Sequence, residues 1–215
     1  RISKVKLKRI AKIGLPAGMQ GAVFSISNVL IQSSVNSFGS IAMAGSTASS
    51  NLEGFVYTSM NSFYQASLSF TSQNLGAGKK ERINKILITC ELLVFTVGLV
   101  MGNAAYFLGD RLLHIYSSDP EVIQYGLMRM QVICTVYFLC GMMDVLVGGL
   151  NYSVLPMIVS LAGACGLRIV WIFTIFQWHR SLFVLYLSYP VTWLVTAIAH
   201  FICFIVVRKK IEKEK

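Results

Sequence analysis

The sequence predicts an all-α, polytopic membrane helix bundle with six transmembrane helices. Three observations predict it. Of the 215 residues, 55% are hydrophobic and only 13% charged, with a mean hydropathy of +0.64, whereas soluble domains carry about 25% charged residues. The apolar runs are each roughly 20–25 residues, the length a helix needs to cross ~30 Å of hydrocarbon. Finally, the basic residues cluster. Arg1, Lys4, Lys6, Lys8, Arg9 and Lys12 open the chain, Lys79, Lys80, Arg82 and Lys85 share one loop, and Arg208, Lys209, Lys210, Lys213 and Lys215 close it. Six spans put all three clusters on one side, the positive-inside arrangement, with both ends of the segment cytoplasmic at the plasma (inner) membrane. This clustering, despite a net charge of +10, argues against a nucleic-acid partner. The chain divides into a basic linker (1–9), a membrane lobe (10–207) and a basic tail (208–215). Its start at Arg1, without the regions of a signal peptide, reads as a linker from something upstream.

The first span covers about 10–37, with Pro16 in its first turns, where proline is tolerated or kinks the helix. Ser25, Asn28, Gln32 and Asn36 recur at spacings of three and four and share a face, with Gln20 below them. In lipid such a face turns toward protein or a wet cavity, so cavity lining and interhelical hydrogen bonding are both open. A small turn at 38–45 leads to the second span, about 46–71. It carries Glu53, followed by Tyr57, Asn61 and Gln65 at four-residue steps, which reads as a second polar face. A carboxylate inside a membrane helix is expensive and points to function; the alternative is a structural pair with a neighbouring helix. The polar stretch 73–85, QNLGAGKKERINK, must lie in water. Its GAGKK is no phosphate loop, which needs Gly, four residues and Gly-Lys-Ser/Thr.

The third span, about 83–107, carries Glu91 two turns in, within reach of the interface or a neighbouring helix. Ser118-Asp119-Pro120-Glu121 is a helix-start signal: a capping carboxylate, a proline at the first position and an acid at the positive end. The fourth span, about 121–150, has Arg129 near its start, expected to snorkel or pair near the outer interface. Asp144 lies near its end, on the Tyr137–Cys140–Asp144 side. The fifth, about 154–176, starts with Pro156 in its first turn and carries Arg168 deep inside; an intramembrane arginine needs a partner, with Asp144 or Glu53 the candidates. The sixth runs to about 207, with an expected kink at Tyr189-Pro190. Trp171, Trp178 and Trp193 suit interfacial anchoring, Trp171 also a helix interface. His200 is read as a packed or snorkelling imidazole rather than a proton relay. The five cysteines fall in apolar runs and read as small packing hydrophobes. HExxH and GxSxG are absent, so no enzyme and no cofactor is expected.

Four stretches carry a family resemblance: IGLPAGMQGAVFSISNVLIQSSVNSFG (13–39), NLEGFVYTSMNSF (51–63), QNLGAGKKER (73–82) and YSVLPMIVSLAGACGLRIVWI (152–172). Together they resemble the C-terminal six-helix lobe of a multidrug and toxic compound extrusion (MATE) transporter, over about 10–207. The resemblance implies half of a twelve-helix pseudo-twofold transporter, with an N-terminal six-helix lobe as partner. It implies exchange of H+ or Na+ for amphipathic organic cations at a cavity between lobes near the bilayer midplane. Carried over residue by residue, Glu53 matches the acidic position of the second stretch, Asp144 an acidic position of the fourth helix, and Arg168 the arginine of the fifth. Gly149-Leu150 runs straight into Asn151-Tyr152, where the family usually has a Leu-Arg-Gly turn.

The expected mechanism places Glu53 and Asp144 in a low-dielectric cavity, where a proton or sodium ion competes with the cation for their charge. Asn28, Gln32, Tyr57, Asn61 and Gln65 line it, and Tyr57 also stacks on a cation. Two alternatives remain: a lipid or lipid-linked-sugar flippase of the same superfamily, and a non-transporting membrane half-protein whose polar stripes only glue helices together.

Overall fold

Ten α-helices, α1–α10, make up the computed structural model, which describes residues 3–150 and 154–213. Among the described residues there is no strand. α1 (Lys4–Asn36) and α2 (Ser40–Gly76) are 33 and 37 residues long. α3 is Ile83–Phe107, and the short α4 (Gly109–Leu113) follows it. α5 (Pro120–Ile133) and α6 (Phe138–Leu150) form one bent rod. α7 (Val154–Ser160), α8 (Leu167–Phe173) and α9 (Ile175–Trp178) form another, and α10 is Leu182–Lys213.

Among the described residues three stretches are long and apolar enough to cross a bilayer: Lys80–Phe107, Val154–Trp178 and Leu182–Val207. The α5–α6 rod is a fourth if its two parts, inclined by 45°, count as one span. Only 28–33% of the most apolar windows of those three stretches is buried in the bundle. Side chains such as Ile88, Leu92, Val100 and Ile202 face outward, as a helix does when lipid rather than water surrounds it.

The turns are tighter than the sequence suggests. α1 and α2 are separated only by residues 37–39, because Gly39, at φ 98°, takes a left-handed conformation open to glycine without steric cost. Gly45, expected in the turn, is instead buried in α2. A β-carbon there would lie 2.9 Å from the backbone nitrogen of Gly126, so two small residues let α2 and α5 touch. The polar stretch after Gln73 continues α2 for a turn, then reverses at Gly78, φ 73°. The expected cap is present: Asp119 accepts a 2.9 Å hydrogen bond from the backbone N–H of Glu121.

Two rods depart from the regular helix expected. Residues Cys134–Val136 form a 3-10 turn where α5 meets α6. Thr135 sits there with its hydroxyl 2.6 Å from the carbonyl of Gln131, a back-bond that bends helices. In the fifth rod Leu161–Gly166 is a π-turn in a run of small residues. The junction at 151–153, including the Asn151-Tyr152 departure from the family pattern, lies outside the described residues, as do the chain ends at 1–2 and 214–215.

α2 is the central strut, packed on α3, α5 and α6. Its Val56 and Met60 meet Leu87 and Val94 of α3, Met143 and Leu146 of α6, and Trp193 of α10 in the main core. A second cluster around Ile31, Val35, Ile172 and Leu185 closes one end. A third, around Leu52, Leu113 and Met130, joins α4 and α5 to α2. The cores leave the polar faces of α1, α2, α6, α8 and α10 looking at one another.

Candidate functional site

Two adjoining hollows open between those faces. The larger, about 500 Å³, is lined by Phe24, Asn28, Tyr57, Tyr64, Tyr137, Cys140, Met143, Asp144, Val147, Arg168, Tyr189 and Trp193. The smaller, about 280 Å³, shares Asn28, Tyr137, Tyr189 and Trp193 and adds Gln32, Ser50, Glu53, Arg129 and Ile133.

The smaller hollow is organised by a buried ion pair. Arg129 donates from Nε to Glu53 Oε1 and from Nη2 to Glu53 Oε2, both at 2.8 Å. Its Nη1 donates to Ser46 Oγ at 3.1 Å, and Ser49 Oγ donates to Glu53 Oε1 at 2.9 Å. Glu53 is 5% exposed and Arg129 6%. The guanidinium also lies 5.3 Å from the centroid of Tyr186 and 5.6 Å from that of Tyr189. Of the two alternatives for Arg129, it pairs rather than snorkels, and Glu53 takes the structural pair with a neighbouring helix, its partner being Arg129 and not Arg168. The reason is geometric: α2 and α5 meet through Gly45 and Gly126, which brings Arg129 onto the face of α2 that carries Ser46, Ser49 and Glu53.

The larger hollow holds two charges of opposite sign that do not meet. Asp144 accepts a hydrogen bond from the Tyr57 hydroxyl at 3.3 Å. Arg168 donates from Nη1 to Asn28 Oδ1 at 3.3 Å and from Nη2 to Thr192 Oγ1 at 3.4 Å. The Tyr189 ring lies beneath it, 4.2 Å from centroid to guanidinium. Among the described residues neither Asp144 nor Arg168 forms an ion pair. Arg168 therefore finds neither of the carboxylates expected for it; an amide, a hydroxyl and an aromatic face hold it instead.

Aromatic rings line the same hollow and touch one another in series. Tyr57 stacks with Tyr137 (centroids 6.5 Å apart), Tyr137 with Trp193 (5.3 Å), and Tyr189 meets Trp193 edge-on (5.6 Å). Trp193, expected as an interfacial anchor, is 5% exposed and belongs to this ladder, while Trp178 is 82% exposed. Trp171 packs between helices, donating its Nε1 proton to the carbonyl of Val184 at 3.0 Å.

Asn28, Gln32, Glu53, Tyr57, Asp144 and Arg168 thus border the paired hollows. Asn61 and Gln65 do not: Asn61 is half-buried, Gln65 is exposed, and neither lines either hollow. Four-residue steps on a helix of 3.6 residues per turn precess by about 40° each, so the row from Glu53 to Gln65 winds away from the site. Tyr64, eleven residues after Glu53, returns to it. Sequence reading did not name Glu53 as the partner of Arg129 and missed the places of Tyr137 and Tyr189 in the hollows. Tyr137 carried a signal, since it shares a side of its rod with Cys140 and Asp144.

Other polar groups lie apart. His200 is fully buried and its Nε2 is 3.1 Å from Ser160 Oγ. Both carboxylate oxygens of Glu91 are buried without a hydrogen-bond partner among the described residues. Cys90, Cys134, Cys140 and Cys165 are buried free thiols and Cys203 is half-buried.

Comparison with known proteins adds the following. The family model MatE matches residues 16–174. A probable multidrug resistance protein of Bacillus subtilis, YpnP, is 28% identical over 139 residues, which is 65% of this chain and 31% of that protein. An FAD transporter of Shewanella oneidensis is 22% identical over 74% of this chain and 35% of its own length. Among solved structures, the Vibrio cholerae MATE transporter VcmN in its bent form superposes with a TM-score of 0.85 at 15% identity. That match covers 97% of this chain and 48% of VcmN. The chain thus spans about a third of these curated relatives and about half of the solved transporter.

Proposed function

The chain belongs to the MatE family of membrane transporters, and from that premise we propose that it is the C-terminal six-helix lobe of a secondary antiporter. The antiporter exports amphipathic organic cations in exchange for H+ or Na+. All six rods span the inner membrane, the basic segments 1–9 and 208–215 lie in the cytoplasm, and an N-terminal six-helix lobe closes over the hollows described above. One observation carries the cation reading. Asp144 is a carboxylate in a cavity of about 500 Å³ with no ion-pair partner among the described residues.

The residues divide the work. Asp144 supplies the charge for which a proton or sodium ion competes with the cation, and the Tyr57 hydroxyl steadies its ionised form. The rings of Tyr57, Tyr137 and Trp193 offer π-faces to a flat, apolar cation. Glu53, locked to Arg129, is left to hold α2 against α5. Rocking of one lobe against the other would expose the cavity alternately, as repeat-built transporters do. The flippase alternative draws on Arg168; Asp144 in the same hollow weighs for cationic cargo. The open cavity, and the absence of a Glu53–Arg168 pair, weigh against a sealed, non-transporting half-protein.

The test is export of a fluorescent organic cation from cells producing the full-length protein. Asp144→Asn, nearly the same shape without the charge, is expected to reduce export by about tenfold or more, the effect of losing ~1.4 kcal/mol of binding to the charged form. Export at the wild-type rate, with normal amounts of protein in the membrane, would refute the assignment.

A further inference from the structure

We infer that the groove between α3, α4 and α5 is a binding site for a membrane phospholipid with a primary-amine headgroup, separate from the cargo cavity. The groove, about 460 Å³, is lined by apolar Phe107, Leu127 and Met128 and by polar Asp110, Gln124 and Gln131. It lies on the back of the bundle. α3 packs on α2 and α6, none of its residues lines either hollow, and Ile88, Leu92 and Val100 turn its outer side to lipid.

Three observations point to the occupant. The first is a pair of amides. Gln124 and Gln131, about two turns apart on α5, are both exposed. Gln131 stands about three turns past Pro120, roughly 16 Å along the rod, which takes it out of bulk water and toward the acyl region. Thr96 and Asn103 of α3 satisfy themselves on the carbonyls of Leu92 and Leu99, each at 2.8 Å. The side-chain amides of Gln124 and Gln131 have no such partner among the described residues, and an amide left unsatisfied against hydrocarbon is costly.

The second is charge. Among the described residues Asp110 is the one charged group lining the groove. Its ion pair with His114 is long, 3.8 Å, and both side chains are exposed. A headgroup that ends in an ammonium suits it, and an anionic headgroup does not. The third is level. The bilayer-length stretch of α3 ends at Phe107, and Phe107, Leu108, Ile115 and Tyr116 stand exposed around that end, as such side chains do at the headgroup boundary. A lipid seated there sets its ammonium at Asp110 and its chains along Phe107, Leu127 and Met128. Its phosphate and ester oxygens accept from the N–H groups of Gln124 and Gln131.

Phosphatidylethanolamine, phosphatidylcholine and phosphatidylglycerol with identical acyl chains test this. An ammonium has three N–H donors, choline has a charge without donors, and glycerol has no cation. Lipid retained by the purified full-length protein is measured by native mass spectrometry. The wild type is expected to hold the ethanolamine lipid roughly fivefold more tightly than the choline lipid, the scale of a charge-assisted hydrogen bond at an exposed carboxylate, with the glycerol lipid weakest. Asp110→Asn keeps the shape and removes the charge, and the preference should fall to about one. Gln131→Leu should weaken the ethanolamine and choline lipids alike, by about threefold, because the amide meets oxygens that both share. Both changes are on the surface, where the fold tolerates them. Equal retention of the ethanolamine and choline lipids by the wild type overturns the inference. So does a preference that survives Asp110→Asn, a tighter hold on the glycerol lipid, or a Gln131→Leu variant that binds both lipids as the wild type does. A dimer in the same spectra that Gln131→Leu splits assigns the groove to a second copy and overturns it as well.

Discussion

Breaking the Glu53–Arg129 pair from one side should cost far more than removing it whole. Arg129→Met takes three donated hydrogen bonds away and leaves a carboxylate 5% exposed with, among the described residues, Ser49 alone to satisfy it. Glu53→Gln leaves the guanidinium uncompensated in the same place. Removing one partner of a buried pair costs about 3–5 kcal/mol. The lower end applies here, because chains unfolded within a membrane or detergent also find hydrogen-bond partners. We therefore expect about 3 kcal/mol for each single change, a fall of roughly 6–12 °C in Tm on the scale of soluble domains this size. The double change Glu53→Met with Arg129→Met replaces the pair by apolar volume and should return to within about 1 kcal/mol of wild type. A thiol-reactive dye followed on heating the full-length protein in detergent reads this directly, since Cys90, Cys134, Cys140 and Cys165 are buried until the lobe opens. Single variants that each lose less than about 1 kcal/mol, or a double variant whose loss equals their sum, would refute the structural role given to the pair.

Two further changes probe the scaffold with the same dye. A β-carbon on Gly148 would stand 2.9 Å from the carbonyl oxygen of Tyr64 and 3.0 Å from the nitrogen of Leu68, so Gly148→Val must push α6 off α2; a loss of about 1–3 kcal/mol is expected. Asp119→Ala removes the acceptor 2.9 Å from the Glu121 N–H and should lower stability by about 1 kcal/mol.

Much of the bundle was legible because lipid imposes long apolar rods, which leave a mark in one dimension. The Asp119-Pro120 start, the third span and the burial of Arg168 could be read directly. What could not be read depends on relations between rods. No pattern along α5 alone says that Arg129 faces Glu53, 76 positions earlier; that follows from the Gly45–Gly126 contact, which exists only once two helices meet. Thr135 and the small residues of 161–166 are common in straight helices, so the bend and the π-turn had no distinctive signature. Asn61 and Gln65 failed for a different reason. The four-residue step was taken as a face, although 3.6 residues per turn turns it into a slow spiral.

The placement of the two unpaired charges explains why the hollow stays open. Opposite charges 4 Å apart attract by about 4 kcal/mol at an effective dielectric constant near 20, enough to draw Asp144 and Arg168 together and close the cavity if both were free to move. Neither is. Tyr57 holds Asp144 from the α2 side, while Asn28, Thr192 and the Tyr189 ring hold Arg168 from α1 and α10. Ring contacts through Tyr57, Tyr137, Trp193 and Tyr189 tie the two holders together. Had Glu53 paired with Arg168, Arg129 would have been left without a carboxylate at the α2–α5 contact. The Glu53–Arg129 pair secures the scaffold and leaves one acid and one base of the larger hollow without an ion-pair partner among the described residues.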